Sequence, residues 1–124
     1  MLKYVKFSEL PVVDQDRAVR FYTEKVGFRI AQDSAYKEGW RWIELEVPGA
    51  RTHILFTQQQ PGMPADTPRL VFVADDVDAT YRELVDKGVE FVTAPSEAPW
   101  SPGQRFAQFR DSEGNNIVIT SQPR

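Results

Sequence analysis

The chain has 124 residues, 41% apolar and 27% charged, with a net charge of −3, one histidine and no cysteine. That length leads to the expectation of one compact domain or two half-domains sharing a core rather than a multidomain chain. The missing thiols exclude disulfides, thiolate metal sites and cysteine nucleophiles, and the acidic balance offers no basic face to a phosphate backbone, so nucleic acid is not an expected partner.

No hydrophobic run is long enough to span a bilayer, and the opening Met1–Lys6 lacks the apolar core of a signal peptide. The expectation is a cytoplasmic protein with no membrane partner, whose partner is a small organic molecule, neutral or cationic.

Residues 3–13 alternate as a strand, and Asp14 then stands where an N-cap supplies an oxygen to the free amides of a helix. Ala18, Phe21, Tyr22 and Val26 recur at helical spacing, and Gly27 closes the helix because glycine tolerates the left-handed conformation. Residues 28–35 form the next strand. From Trp40 to Val47 the period becomes two: Arg41, Ile43, Leu45 and Val47 share one face, and Trp40, Trp42, Glu44 and Glu46 share the other. Pro48-Gly49 turns the chain into a hairpin partner over 52–57, and 59–68 is a polar, proline-bearing linker.

The plan then repeats. Residues 70–74 are a strand, Asp75 or Asp76 caps a helix that runs to Lys87, Gly88 stops it, and 89–92 resume the sheet. A proline-rich loop over 94–103 carries Trp100. Strands over 105–109 and 116–121 are joined by Asp111-Ser112-Glu113-Gly114-Asn115, a strong hairpin signal. Seven positions (Leu10, Val12, Asp14, Ala18, Gly27, Phe28 and Ile30) match Val71, Val73, Asp75, Ala79, Gly88, Val89 and Phe91 at an offset of 61. One supersecondary unit is written twice, and a cleft between such units is where small molecules bind.

The run Phe21-Tyr22-Thr23-Glu24-Lys25-Val26-Gly27-Phe28 after Val13-Asp14, together with Phe109-Arg110-Asp111-Ser112-Glu113-Gly114-Asn115 before an apolar strand, resembles the vicinal oxygen chelate superfamily. That superfamily includes glyoxalase I, bleomycin resistance proteins, fosfomycin resistance proteins and extradiol dioxygenases. The resemblance implies an α+β fold: a single domain over 1–124 made of two βαβββ modules, 1–58 and 69–124, that form a cup-shaped mixed sheet, usually in a homodimer.

In the metal-dependent members, four side chains from inner strands hold a divalent ion. Carried over strand by strand, the four positions fall on Phe7, Glu44, Arg69 and Val118. Phenylalanine and valine have no lone pair and arginine stays protonated. The expectation is therefore no metal and no other cofactor.

Glu44 is read as a ligand anchor and as the candidate catalytic base; the plainer reading pairs it with Arg69 across the inner sheet. Trp40, Trp42 and Trp100 offer flat surfaces for planar or cationic ligands. Arg105 follows the proline-rich loop, where it could close over a bound anion. His53, alone on an outer hairpin strand, reads as an ordinary side chain. The expected ligand-binding set is Phe7, Trp40, Trp42, Glu44, Glu46, Arg69, Trp100, Arg105 and Val118. The first functional reading is sequestration of an aromatic or cationic compound in the manner of bleomycin resistance proteins. The alternatives are a metal-dependent glyoxalase or dioxygenase and a metal-free lyase or isomerase that uses Glu44 as base.

Overall fold

The structure is a computed structural model that describes residues 1–61 and 67–122. It forms two compact units, Met1–Met63 and Pro64–Arg124. Residues 62–66, in the middle of the expected linker, lie outside the described residues.

The first unit runs β1 (Phe7–Val12), α1 (Gln15–Arg20), β2 (Arg29–Lys37), β3 (Trp40–Glu46) and β4 (His53–Gln58). Its sheet has the order β1-β4-β3-β2, with β1 parallel to β4 and the other neighbours antiparallel. The second unit runs β5 (Leu70–Val73), α2 (Val77–Asp86), β6 (Phe91–Glu97), β7 (Arg105–Arg110) and β8 (Asn116–Thr120). Its order is β5-β8-β7-β6, again with only the first and last strands parallel. Each unit is thus a strand, a helix and a three-stranded meander whose last strand returns beside the first, which is the βαβββ plan.

Each helix starts the same way. Asp14 accepts the Arg17 amide at 3.0 Å and Asp76 accepts the Ala79 amide at 3.0 Å, so each satisfies a donor that the first turn leaves without a partner. The ends differ by one residue. α1 runs without a break into a wider π-helical turn, Phe21–Val26, and Gly27 stops it at φ 92°. The Phe28 amide reaches back six residues to the Tyr22 carbonyl at 2.9 Å, whereas its counterpart Val89 reaches back five residues to Leu84 at 3.0 Å. A π turn holds one residue more than an α turn of the same rise.

That extra residue corrects the repeat. The offset is 62 up to the helix, where Asp14 answers to Asp76, and falls to 61 only after it, where Gly27 answers to Gly88. Leu10 and Val12 are fully buried, but Val71 and Val73, their expected partners, are 58% and 53% exposed. The half-buried Leu70 and Phe72 stand opposite buried Ile117 and Ile119 instead.

The core of the first unit gathers Leu10, Val12, Ala18, Ile43, Leu45 and Phe56 around Tyr22, whose ring stacks on Phe28 at 5.7 Å. In the second unit Val77 and Leu84 are buried along with Ala107, Phe109, Ile117 and Ile119. β6 extends to Glu97, past the expected end at 92. Pro95 is tolerated because β6 is an edge strand and the register with β7 shifts between Thr93 and Ser96, where no ladder donor is needed. Among the described residues no helix is long and apolar enough to cross a membrane.

Candidate functional site

The β3–β4 register pairs Glu44 with Leu55 and Glu46 with His53, and the β1–β4 register pairs Phe7 with His53 and Glu9 with Leu55. Since side chains alternate across a strand, these registers put Phe7, Glu9, Trp42, Glu44, Glu46, His53 and Leu55 on one sheet face. The opposite face carries Leu10, Ile43, Leu45 and Ile54, all buried.

A recess of about 370 Å³ opens on this face of the first unit. Phe7, Tyr36, Trp40 and Trp42 give it aromatic walls, and Glu9 and Lys37 stand on its lining as charges. The Trp42 ring meets Phe7 edge-on at 6.0 Å and Tyr36 edge-on at 5.2 Å, the arrangement that the ring quadrupoles favour.

Glu44 shares this sheet face but is not part of the recess lining. It is 5% exposed, and a buried carboxylate needs partners. The Trp42 indole Nε1–H donates to Oε2 at 2.7 Å, and His53 Nδ1 lies 3.0 Å from Oε1. The indole bond holds the Glu44 carboxyl below the usual carboxylate range, with His53 and Lys6 adding to the effect and burial opposing it. An ionised carboxylate only accepts, so His53 carries a proton on Nδ1.

Trp40 is placed by a second buried polar group. The Gln15 side chain, at the start of α1, donates through Nε2 to the Arg41 carbonyl at 2.8 Å and accepts from the Arg41 amide through Oε1 at 3.1 Å. The Arg41 guanidinium in turn is held by Asp16 at 2.8 Å and Asp33 at 3.0 Å, which raises its pKa. The start of β3 is thereby tied to both α1 and β2.

The expected site residues therefore fall into separate groups. Phe7, Trp40 and Trp42 line the recess, and Glu44, outside that lining, is bonded to Trp42. Glu46 is half-buried opposite Arg29 and His53, outside that lining. In the second unit, Trp100 and Val118 line another recess of about 320 Å³, together with Val71 and Thr120. Trp100 meets Phe106 edge-on at 5.0 Å. Arg69 donates its amide to the Asn116 carbonyl at 2.8 Å, at the start of β5. Arg105 turns away from Phe106, its neighbour on the strand, and grips Asp78 of α2 through two bonds of 2.7 and 2.8 Å. That grip lowers the Asp78 pKa and raises that of Arg105.

The sequence set His53 aside as an ordinary side chain and did not place Tyr36 or Glu9 among the ligand-binding residues. His53 was legible by counting: a turn centred on Gly49-Ala50 pairs 46 with 53, which returns the histidine to the glutamate face.

The four residues that the family resemblance assigns to a metal are not, by residue type, a donor set for one. Phe7 and Val118 offer no lone pair, Arg69 is a cation, and both oxygens of Glu44 already accept hydrogen bonds.

A family model described as the Glyoxalase/Bleomycin resistance protein/Dioxygenase superfamily matches residues 3–119. The chain is 33% identical over 121 residues to the uncharacterised Bacillus subtilis protein YetH, covering 96% of this chain and 98% of that one. Among solved structures it is similar to TnmS3, an antibiotic binding protein from Streptomyces sp. CB03234, with a TM-score of 0.81, 32% identity and 98% of each chain covered. It is also similar to a superfamily member from Sphaerobacter thermophilus, with a TM-score of 0.85, 27% identity and 98% of each chain covered.

Proposed function

The chain belongs to the Glyoxalase/Bleomycin resistance protein/Dioxygenase superfamily, and from that premise we propose that it is a metal-free binding protein that sequesters a planar aromatic or cationic compound. The observation that carries this reading is the recess of the first unit, which four aromatic side chains line together with Glu9 and Lys37. Aromatic walls supply a large apolar surface for a flat ligand, and a cation over such a ring gains about 0.5–2 kcal/mol depending on how dry the contact is. The carboxylate of Glu9 adds attraction for a positive group, and the Lys37 ammonium on the same lining opposes it. Similarity to an antibiotic binding protein supports a small-molecule-binding role.

Neither enzymatic alternative gains support from the geometry. A general base works best with a pKa near the operating pH and a lone pair aimed at its substrate. Glu44 is held below the usual range, and its two oxygens face Trp42 and His53. We read the protein as a cytoplasmic homodimer that holds its ligand without chemistry.

The test is tryptophan fluorescence of the full chain titrated with ethidium, a planar cation, and with 8-anilinonaphthalene-1-sulfonate, a planar anion. Saturable quenching by ethidium, weakened in Trp42→Leu, is the expected result. No saturable response to either dye would remove the reading. A melt with Ni²⁺, Zn²⁺ or Fe²⁺ is expected to leave the midpoint where it is, since only an ion that binds the native state raises it.

A further inference from the structure

Trp42 forms a wall of the recess and packs edge-on against Phe7 and Tyr36, but the indole χ2 torsion is broad, and a hydrogen bond at one edge narrows it further. In this protein its Nε1–H is bound to Glu44 at 2.7 Å, and Glu44 is bound in turn to His53 Nδ1 at 3.0 Å. The three side chains are joined in series by these two hydrogen bonds. Trp42 and Glu44 stand two residues apart on β3, and His53 reaches across from β4, where its register partner is Glu46. Glu44 lies outside the recess lining and is nearly inaccessible, while Trp42 lies on it.

We infer that Glu44 is a positioning residue: backed by His53, its carboxylate fixes the edge of the Trp42 indole, and it is neither the ligand's counter-ion nor a base. This inference rests on the binding reading above and says which group does what within it. With its only donor turned to Glu44, the indole presents its ring carbons to the recess. A ligand meeting that wall stacks on it and gains nothing from carrying a hydrogen-bond acceptor there. The carboxylate on the recess lining is Glu9, and it is the group that answers a positive charge. The lowered pKa of Glu44 agrees with a carboxylate already committed to two donors.

The experiment reads the indole N–H resonances of the ligand-free full chain by ¹H–¹⁵N correlation, with Trp42→Phe to assign the Trp42 signal, and ethidium affinity on the same samples. A proton donated to a carboxylate is displaced from one donated to a neutral group. Glu44→Gln and His53→Leu are expected to move the Trp42 resonance and to weaken ethidium about ten-fold. His53→Asn, which keeps a donor near the Nδ1 position, is expected to restore both. Glu9→Gln is expected to weaken ethidium and leave the resonance in place.

A Trp42 resonance unmoved by Glu44→Gln overturns the positioning role, and ethidium binding lost in that variant with the resonance unmoved would make Glu44 the counter-ion instead. Should Glu44→Gln fail to fold, His53→Leu keeps both the carboxylate and the indole and carries the same measurement. If neither dye binds the unaltered chain, the binding reading fails, and the ligand-free resonances still decide whether Glu44 fixes the ring.

Discussion

Gln15 offers a sharp test of how the start of β3 is held. Its amide is buried, donates at 2.8 Å to the Arg41 carbonyl and accepts at 3.1 Å from the Arg41 amide, so it acts as a length of strand pairing edge supplied by a side chain. Gln15→Glu keeps the shape and the acceptor but replaces the donor with an oxygen facing a carbonyl oxygen. One favourable bond worth about 1 kcal/mol is lost and a half-buried carbonyl goes unsatisfied at about 1–3 kcal/mol, for a total near 2–4 kcal/mol at neutral pH. Gln15→Ala loses both bonds but admits water, and the expected loss is about 1–3 kcal/mol.

The glutamate variant also carries a sign. A protonated carboxyl donates through its O–H and accepts through its carbonyl, which reproduces the amide pattern. The folded state therefore raises the pKa of Glu at this position. The deficit is absent below the unfolded carboxyl value of about 4.3 and grows as pH rises from there towards the folded value. Urea unfolding of both variants across about pH 3.5–7 measures this. A Gln15→Glu deficit that is the same at both ends of that range, or smaller than that of Gln15→Ala at neutral pH, would refute the donor–acceptor argument.

Further outcomes follow from the same structure. Asp111 is buried and accepts from the Glu113 and Asn115 amides at 2.8 and 2.9 Å and from Asn115 Nδ2 at 3.0 Å, so Asp111→Ala is expected to lower unfolding free energy by about 2–4 kcal/mol in urea. Asp14→Ala and Asp76→Ala each remove one cap and are expected to cost about 1 kcal/mol, additively, because they sit on different helices. Glu44 has a folded pKa below the ordinary 4.5, so its ionisation stabilises the fold above that pH and the contribution fades as pH falls through the lower folded value. The unfolding free-energy gap between the unaltered chain and Glu44→Gln is expected to narrow in acid. A gap that widens there would show that the carboxylate is not favoured by its surroundings.

How far the fold was legible depends on which regularities survive a one-residue insertion. Caps and stops are local: Asp14, Gly27 and Gly88 were readable from residue type alone, because each answers to backbone groups within one turn. The pairing of the two units was not, since the offset was taken across helices of unequal length. One residue in a π turn flips the parity of everything matched on its far side, and that is why Val71 and Val73 were matched to Leu10 and Val12, to which Phe72 and Ala74 answer at the offset of 62. The site shows the same division. Alternation along β3 correctly grouped Trp40, Trp42 and Glu44, because parity within one strand needs no partner. What Glu44 bonds to depends on the β3–β4 register, hence on the turn at Gly49, and reading the hairpin without counting it left His53 out and proposed Arg69. Arg105 failed to read for a related reason. Its partner Asp78 is 27 positions away on α2, and only the packing of a helix across the sheet brings the two within 2.7 Å. Residue type alone marks an arginine after a loop as available, whereas the fold has already given it a carboxylate.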